Sequence, residues 1–121
     1  MRNYQMLEAW KISMALVKQI YIITKEFPKE ELYGLTSQIK RAAISIPSNI
    51  AEGMGRQYKK DNIQFQHIAR GSVYELETLL NISIMVGILD EEIFNRISSE
   101  LEHTIKVLSG LINYLQKSEL K

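Results

Sequence analysis

Residues 38–53 read QIKRAAISIPSNIAEG, and the fold is decided by how this stretch is read. Ile39, Ala42, Ala43, Ile46 and Ile50, continued by Met54, recur at helical intervals and make one apolar stripe. Arg41, Ser45, Ser48 and Glu52 follow one another in steps of four, three and four on the other side. Asn49 sits at the edge of the apolar arc. The stretch is an amphipathic helix, yet Pro47 lies inside it. Proline there lacks an N–H and crowds the carbonyl of Ala43, which predicts a kink, with Ser45 and Ser48 placed to satisfy the freed backbone groups. An ordinary bundle helix needs neither the proline nor the regular polar set.

Working outward, periodicity and breakers give four helices. The first spans about Met6 to Phe27 and stops at Pro28. The second runs from near Leu32 to Gly53–Gly55, where glycine suits a helix C-terminus. The third starts near Asp61 as N-cap and ends at Gly87. The fourth starts at Asp90, with Glu91 and Glu92 in its first turn where the helix dipole favours acids, and frays after Lys117. Short connections make consecutive helices antiparallel neighbours. The expected fold is all-α, an up-down-up-down four-helix bundle forming one domain over residues 1–121, with helix 2 kinked at Pro47.

Helices 1 and 4 carry more apolar surface than a monomeric bundle needs. On helix 1, Leu7, Trp10, Met14, Val17 and Tyr21 form one stripe, and Ala9, Ile12, Leu16, Ile20, Ile23 and Phe27 form a second. Together they cover roughly 200° of the circumference at about 100° per residue. On helix 4, Ile93, Phe94, Ile97, Leu101, Ile105, Val107, Leu108, Leu111, Ile112 and Leu115 span nearly half of it. Excess of this kind points to a second buried face, and so to a homo-oligomer with closed symmetry; a core with a few tolerated surface apolar residues is the alternative.

Helix 3 carries Phe65, Ala69, Ser72, Leu76, Leu79 and Val86 on its core stripe, with Val73 and Leu80 alongside. The small Ala69, Gly71 and Ser72 permit close helix approach. Folding helices 2 and 3 about the loop near Tyr58 brings Arg41 level with Glu75, an expected ion pair, and Asn49 near Ile68.

Composition narrows the function. The 121 residues include no cysteine and two histidines, at a formal net charge of +1. Disulfides and thiolate metal sites are excluded. Glu52 and Glu75 are paired carboxylates in principle, but no Glu-x-x-His motif accompanies them, and His67 and His103 fall on polar faces. No nucleophile–base pair or phosphate-cradling glycine loop is present; Gly53, Gly55 and Arg56 are too sparse for one. No catalytic, metal or cofactor site is expected, and the chain reads as a non-enzyme. No apolar run spans a membrane and MRNYQMLEAW is not a signal peptide, which makes the cytoplasm the default compartment.

Charge is unevenly placed, with ten Lys/Arg and five Asp/Glu in residues 1–60 against five and nine in residues 61–121. The bundle topology gathers Arg2, Lys11, Arg56, Lys59, Lys60, Lys117 and Lys121 at the end holding the helix 2–3 loop. Glu26, Glu30, Glu31, Asp90, Glu91 and Glu92 gather at the other, offset mainly by Lys25 and Lys29. A basic rim suits phosphate, and Tyr58 suits stacking on a base. Ordinary solubilising lysines on a solvated loop are the alternative.

Several motifs occur together in the chain. Phe27, Pro28 and Glu30 form the first, and Tyr33, Gly34, Leu35 and Gln38 the second. The third is Arg41, Ala42, Ser45, Ile46, Pro47, Asn49, Ile50, Ala51, Glu52 and Gly53; the fourth is Gly71, Ser72, Glu75, Leu76 and Glu77. Over nearly its whole length the chain resembles the four-helix-bundle proteins of the intervening-sequence family, which are encoded within insertions of bacterial 23S ribosomal RNA genes. It is also similar to the accessory variability determinant of diversity-generating retroelements, a basic pentamer that binds nucleic acid and a reverse transcriptase. The resemblance implies a homopentameric, barrel-like ring. It also implies a partner that is RNA, DNA or a nucleoprotein; a protein-interaction scaffold without nucleic acid stays open beside it.

Overall fold

The computed structural model describes residues 2–118, apart from the side chain of Gln5. Four helices are present: α1 (Glu8–Thr24), α2 (Leu35–Met54), α3 (Lys59–Met85) and α4 (Glu91–Lys117), with short 3-10 turns at Asn3–Met6 and Lys29–Glu31. Each helix packs on its sequence neighbours and α4 closes against α1, while the diagonal pairs do not meet. Bonds across the seams run in opposite directions along the chain. On α2 and α3, Ser45 meets Ser72 and the Ile50 carbonyl meets Gln66; on α3 and α4, Arg70 meets Ser109 and Lys59 meets Ser118. The result is an all-α, antiparallel bundle.

The core is aliphatic. Leu16, Ile20, Ile39, Ile46, Ile50, Leu76, Leu80, Ile97, Leu101 and Leu108 have essentially no exposed surface. At about 1.5–3 kcal/mol for each such side chain, these residues supply much of the drive for folding.

Several helix ends differ from the sequence expectation. α1 starts two residues late because Leu7 is extended and the preceding segment folds as a separate 3-10 turn. α2 starts at Leu35, because Gly34 (φ −115°, ψ −109°) breaks from Lys29–Glu31; the Leu35 N–H donates to Glu31 Oε1. α3 begins at Lys59 with Tyr58 as N-cap, so Asp61 lies in its first turn rather than at its cap. α3 ends as a Schellman motif. Gly87, at φ +80°, is the one described residue in the left-handed region, with Ile88 N–H bonded to the Ser83 carbonyl and Gly87 N–H to that of Ile84. Gly55 ends α2 without that device, at φ −86°.

Pro47 is buried, and α2 is assigned as one continuous helix through it. Neither serine repairs its lost bond. Ser48 is exposed, whereas Asn49 Nδ2 donates to the Ser45 carbonyl (2.7 Å) and Oγ (2.9 Å).

The apolar excess is resolved differently on the two helices that carry it. On α4, Ile93, Phe94, Ile105, Val107 and Leu111 pack partly buried against the core, and Tyr114 is its only exposed large hydrophobe. The wide arc of α4 is used inside the bundle, facing α1 on one side and α3 on the other. On α1, Met14 (44%) and Tyr21 (40%) stay exposed beside half-buried Trp10 and Val17.

Candidate functional site

The polar set of α2 forms a seam with α3. Ser45 Oγ and Ser72 Oγ are 2.8 Å apart, and Ser72 Oγ also donates to the Ile68 carbonyl. Asn49 caps the cluster through its two bonds to Ser45. One turn further on, fully buried Gln66 donates to the Ile50 carbonyl (3.1 Å) and to Asn62 Oδ1 (2.8 Å), and Asn62 donates to Met54 Sδ. Gly53 allows this. A Cβ on it would lie 2.6 Å from Gln66 Nε2, 2.8 Å from Asn62 Oδ1 and 2.8 Å from Phe65 Cβ. Gly53 therefore serves a close helix approach rather than a helix end. Gly71, expected to serve that purpose on α3, is exposed with nothing within 4 Å of its Cβ position.

Asn62 and Gln66 were not legible as site residues. They continue the phase of Ala69 and Val73, so the apolar stripe of α3 runs on through two amides. At the other end of α3, Ser83 is buried while Val86, expected in the core, is 54% exposed.

Arg41 and Glu75 do not form the expected ion pair, as neither has a salt-bridge partner among the described residues. Both are exposed and, with Gln38, Ala42 and Ser45, line a polar cleft along the α2–α3 seam. The serine contact holds the helices at a separation that leaves the two charges facing a shared opening.

Tyr58, Lys59 and Arg56 come together with Tyr114 and Ser118 in a shallow depression at one end of the bundle. Tyr58 (58%) and Tyr114 (66%) expose their rings there. Lys60, Lys117, Lys11 and Arg2 are exposed residues on the segments that meet at this end; Lys121 lies outside the described residues. Two of the loop cations have work inside the subunit. Arg56 pairs with Glu52 at 2.9 Å and lies 4.6 Å over the Phe65 ring, and Lys59 Nζ donates to the Ser118 carbonyl at 2.6 Å. Glu8, Glu52 and Asp61 share the end with them, so the excess of positive charge is modest.

An apolar groove runs between α1 and α2. Tyr4, Trp10, Met14 and Val17 face Ile44, Pro47 and Ala51 along one half of it, and Tyr4 meets Trp10 edge to face at 5.5 Å. The groove continues past Lys40, whose ammonium lies 4.6 Å from the Tyr21 ring, to Leu32 and Tyr33. Tyr33 is 93% exposed. Among the described residues no helix is long and apolar enough to cross a membrane, and no cluster of three His, Asp or Glu side chains is placed to hold a metal.

The same fold is seen in the crystal structure of a protein of unknown function from the S23 ribosomal protein family of Bacteroides thetaiotaomicron VPI-5482. The TM-score is 0.79 at 24% identity, over 87% of this chain and 95% of that one. No curated protein matches the chain. The family model described as "23S rRNA-intervening sequence protein" matches residues 5–110. That span takes in all of α1, the whole Arg41–Gly53 signature, the α3 seam residues that answer it, and most of α4. By this match the chain belongs to the 23S rRNA-intervening sequence protein family.

Proposed function

We propose that this protein is a non-enzymatic, homo-oligomeric helical bundle that presents its basic end to RNA or to a nucleoprotein. The observation that carries this reading is the pair of exposed tyrosine rings, Tyr58 and Tyr114, that share a depression with Lys59 and Arg56 at the end of the bundle where the helix termini carrying the exposed Lys60, Lys117 and Lys11 lie. Ammonium groups neutralise phosphates without regard to sequence, and exposed rings stack on unpaired bases. One subunit offers few such charges. A ring of parallel subunits repeats them around one rim, which turns a weak patch into a multivalent one. The exposed groove between α1 and α2 supports assembly, since large apolar surfaces mark interfaces.

The test is binding of a structured RNA, by anisotropy, at low and high salt. The triple variant Lys11→Glu, Lys60→Glu, Lys117→Glu changes exposed cations that form no salt bridge among the described residues, so folding is spared. Salt-reversible binding that falls on the order of tenfold or more in the variant supports the reading. RNA binding indifferent to both salt and the triple reversal would sink it.

A second reading, a scaffold for a protein partner, is favoured by the internal engagement of Arg56 and Lys59. An oligomer that ignores RNA at low salt selects it.

A further inference from the structure

The geometry points to how two copies meet: the exposed edge of α3 on one subunit lies in the α1–α2 groove of the next, with Glu75 set against Lys40 and Arg41. This rests on the homo-oligomer reading above and names the two faces.

Ile68, Glu75 and Ile82 are spaced by seven residues, two helical turns, so they share one stripe of α3. All three are exposed, at 44% for Ile68 and 37% for Ile82. The stripe therefore reads apolar, acidic, apolar. Glu75 has no ion pair among the described residues of its own subunit.

The groove reads in matching order. Trp10, Met14 and Ile44 make its first part apolar. Lys40 and Arg41 place two cations at its middle, and Leu32 and Tyr33 make its far part apolar again.

The heights also agree. The Ser45–Ser72 contact fixes α2 against α3. With both helices rising about 1.5 Å per residue in opposite directions, Glu75 stands level with Ala42, Ile68 with Asn49 and Ile82 with Leu35. The Lys40–Tyr21 contact fixes α1 against α2 in the same way. At equal height, then, Glu75 faces the cationic middle of the groove. Ile68 faces the part around Met14 and Ile44, and Ile82 the part around Leu32. A closed ring about an axis parallel to the bundle moves each copy by rotation alone, without axial translation. A stripe and a groove matched at equal height are what such a rotation brings together.

Cysteine cross-linking tests this directly, since the chain has no cysteine of its own. Glu75→Cys and Lys40→Cys proteins are made separately, then co-refolded in equal amounts and oxidised. A covalent dimer that forms in the mixture and in neither protein alone is the expected result. In parallel, Glu75→Lys should lower the mass of the assembly by light scattering, and adding Lys40→Glu with Arg41→Glu should restore it. Circular dichroism checks that each variant folds; Glu75 and Arg41 are exposed, and Lys40 is half-buried against the Tyr21 ring. A wild-type monomer would overturn the homo-oligomer reading and this inference together. A wild-type oligomer with no mixed cross-link and no response to the charge reversals would overturn this pairing of faces alone. Cross-linking of the Glu75→Cys protein to itself would also overturn it, by showing a two-fold contact.

Discussion

Gly53→Ala is the sharpest test of the α2–α3 seam, because two opposing terms of known size meet at one atom. Alanine in place of glycine inside a helix is worth about 1 kcal/mol in favour of the variant. Against this, the new Cβ would sit 2.8 Å from Phe65 Cβ, where carbon atoms prefer about 3.5–4.0 Å. Phe65 Cβ is tied to the α3 backbone and cannot rotate away, so α3 must retreat. Overpacking of this kind costs about 1–3 kcal/mol. The Cβ would also press on Gln66 Nε2 and Asn62 Oδ1 at 2.6 and 2.8 Å. Their displacement puts at risk the buried bond from Gln66 to the Ile50 carbonyl, another ~1 kcal/mol. The clash wins, and the net effect is a destabilisation of about 1–3 kcal/mol, or a fall of roughly 4 °C in Tm per kcal/mol for a chain of this size.

Gly110→Ala is the control. It lies within α4, exposed, and a Cβ there meets nothing within 4 Å. Only the helix-propensity term applies, so this variant should gain about 0.5–1 kcal/mol. Both are measured by urea and thermal unfolding at one protein concentration, because the proposed assembly would make Tm concentration-dependent. If Gly53→Ala is as stable as Gly110→Ala, the close approach is not rigid and the account of Gly53 is wrong.

Three further outcomes are expected. A double-mutant cycle on Ser45→Ala and Ser72→Ala should show a coupling of about 0.5–1.5 kcal/mol, since their hydroxyls bond directly across the seam; additive effects would remove the clasp. Gly87→Ala should cost about 1 kcal/mol or more by forcing a side chain into the left-handed region at φ +80°, read as a lower urea midpoint with unchanged slope. Tyr114→Ala, on the same depression as Tyr58, should weaken single-stranded RNA binding by about 1–3 kcal/mol if its ring stacks on a base. An unchanged affinity would take Tyr114 out of the interface.

The bundle was legible because helix periodicity is local. The stripes of α1, α2 and α3 could be read by counting residues, and Pro28, Gly87 and Asp90 marked ends to within a few positions. What local pattern could not give was the partner of each polar side chain. Ser45 pairs across the seam rather than repairing the proline, and Asn49 bonds to the Ser45 carbonyl rather than to that of Ala43, which Pro47 frees. Arg41 and Glu75 stand at equal height, yet the serine contact decides their separation, and a wheel carries no distance. Asn62 and Gln66 went unseen for a related reason. A polar residue in phase with an apolar stripe looks like an interruption until the glycine opposite it is known to leave room.

The signature on α2 thus divides into two groups with different duties. Ser45, Pro47, Asn49 and Gly53 are buried or half-buried and their contacts are met inside the subunit. They hold α2 and α3 at a fixed separation and register through hydrogen bonds, which a purely aliphatic seam specifies less well. Arg41, from the same stretch, is exposed and has no ion pair among the described residues, and the same holds for Glu75 on the facing helix. An exposed charge adds little to stability, so an unpaired, opposite pair facing one cleft is better explained by what meets it from outside. Register then becomes the link between the two groups. A slip by one turn between α2 and α3 moves Glu75 about 5.4 Å relative to Arg41, and the polar clasp is what prevents that slip. The buried half of the signature fixes the geometry that the exposed half presents.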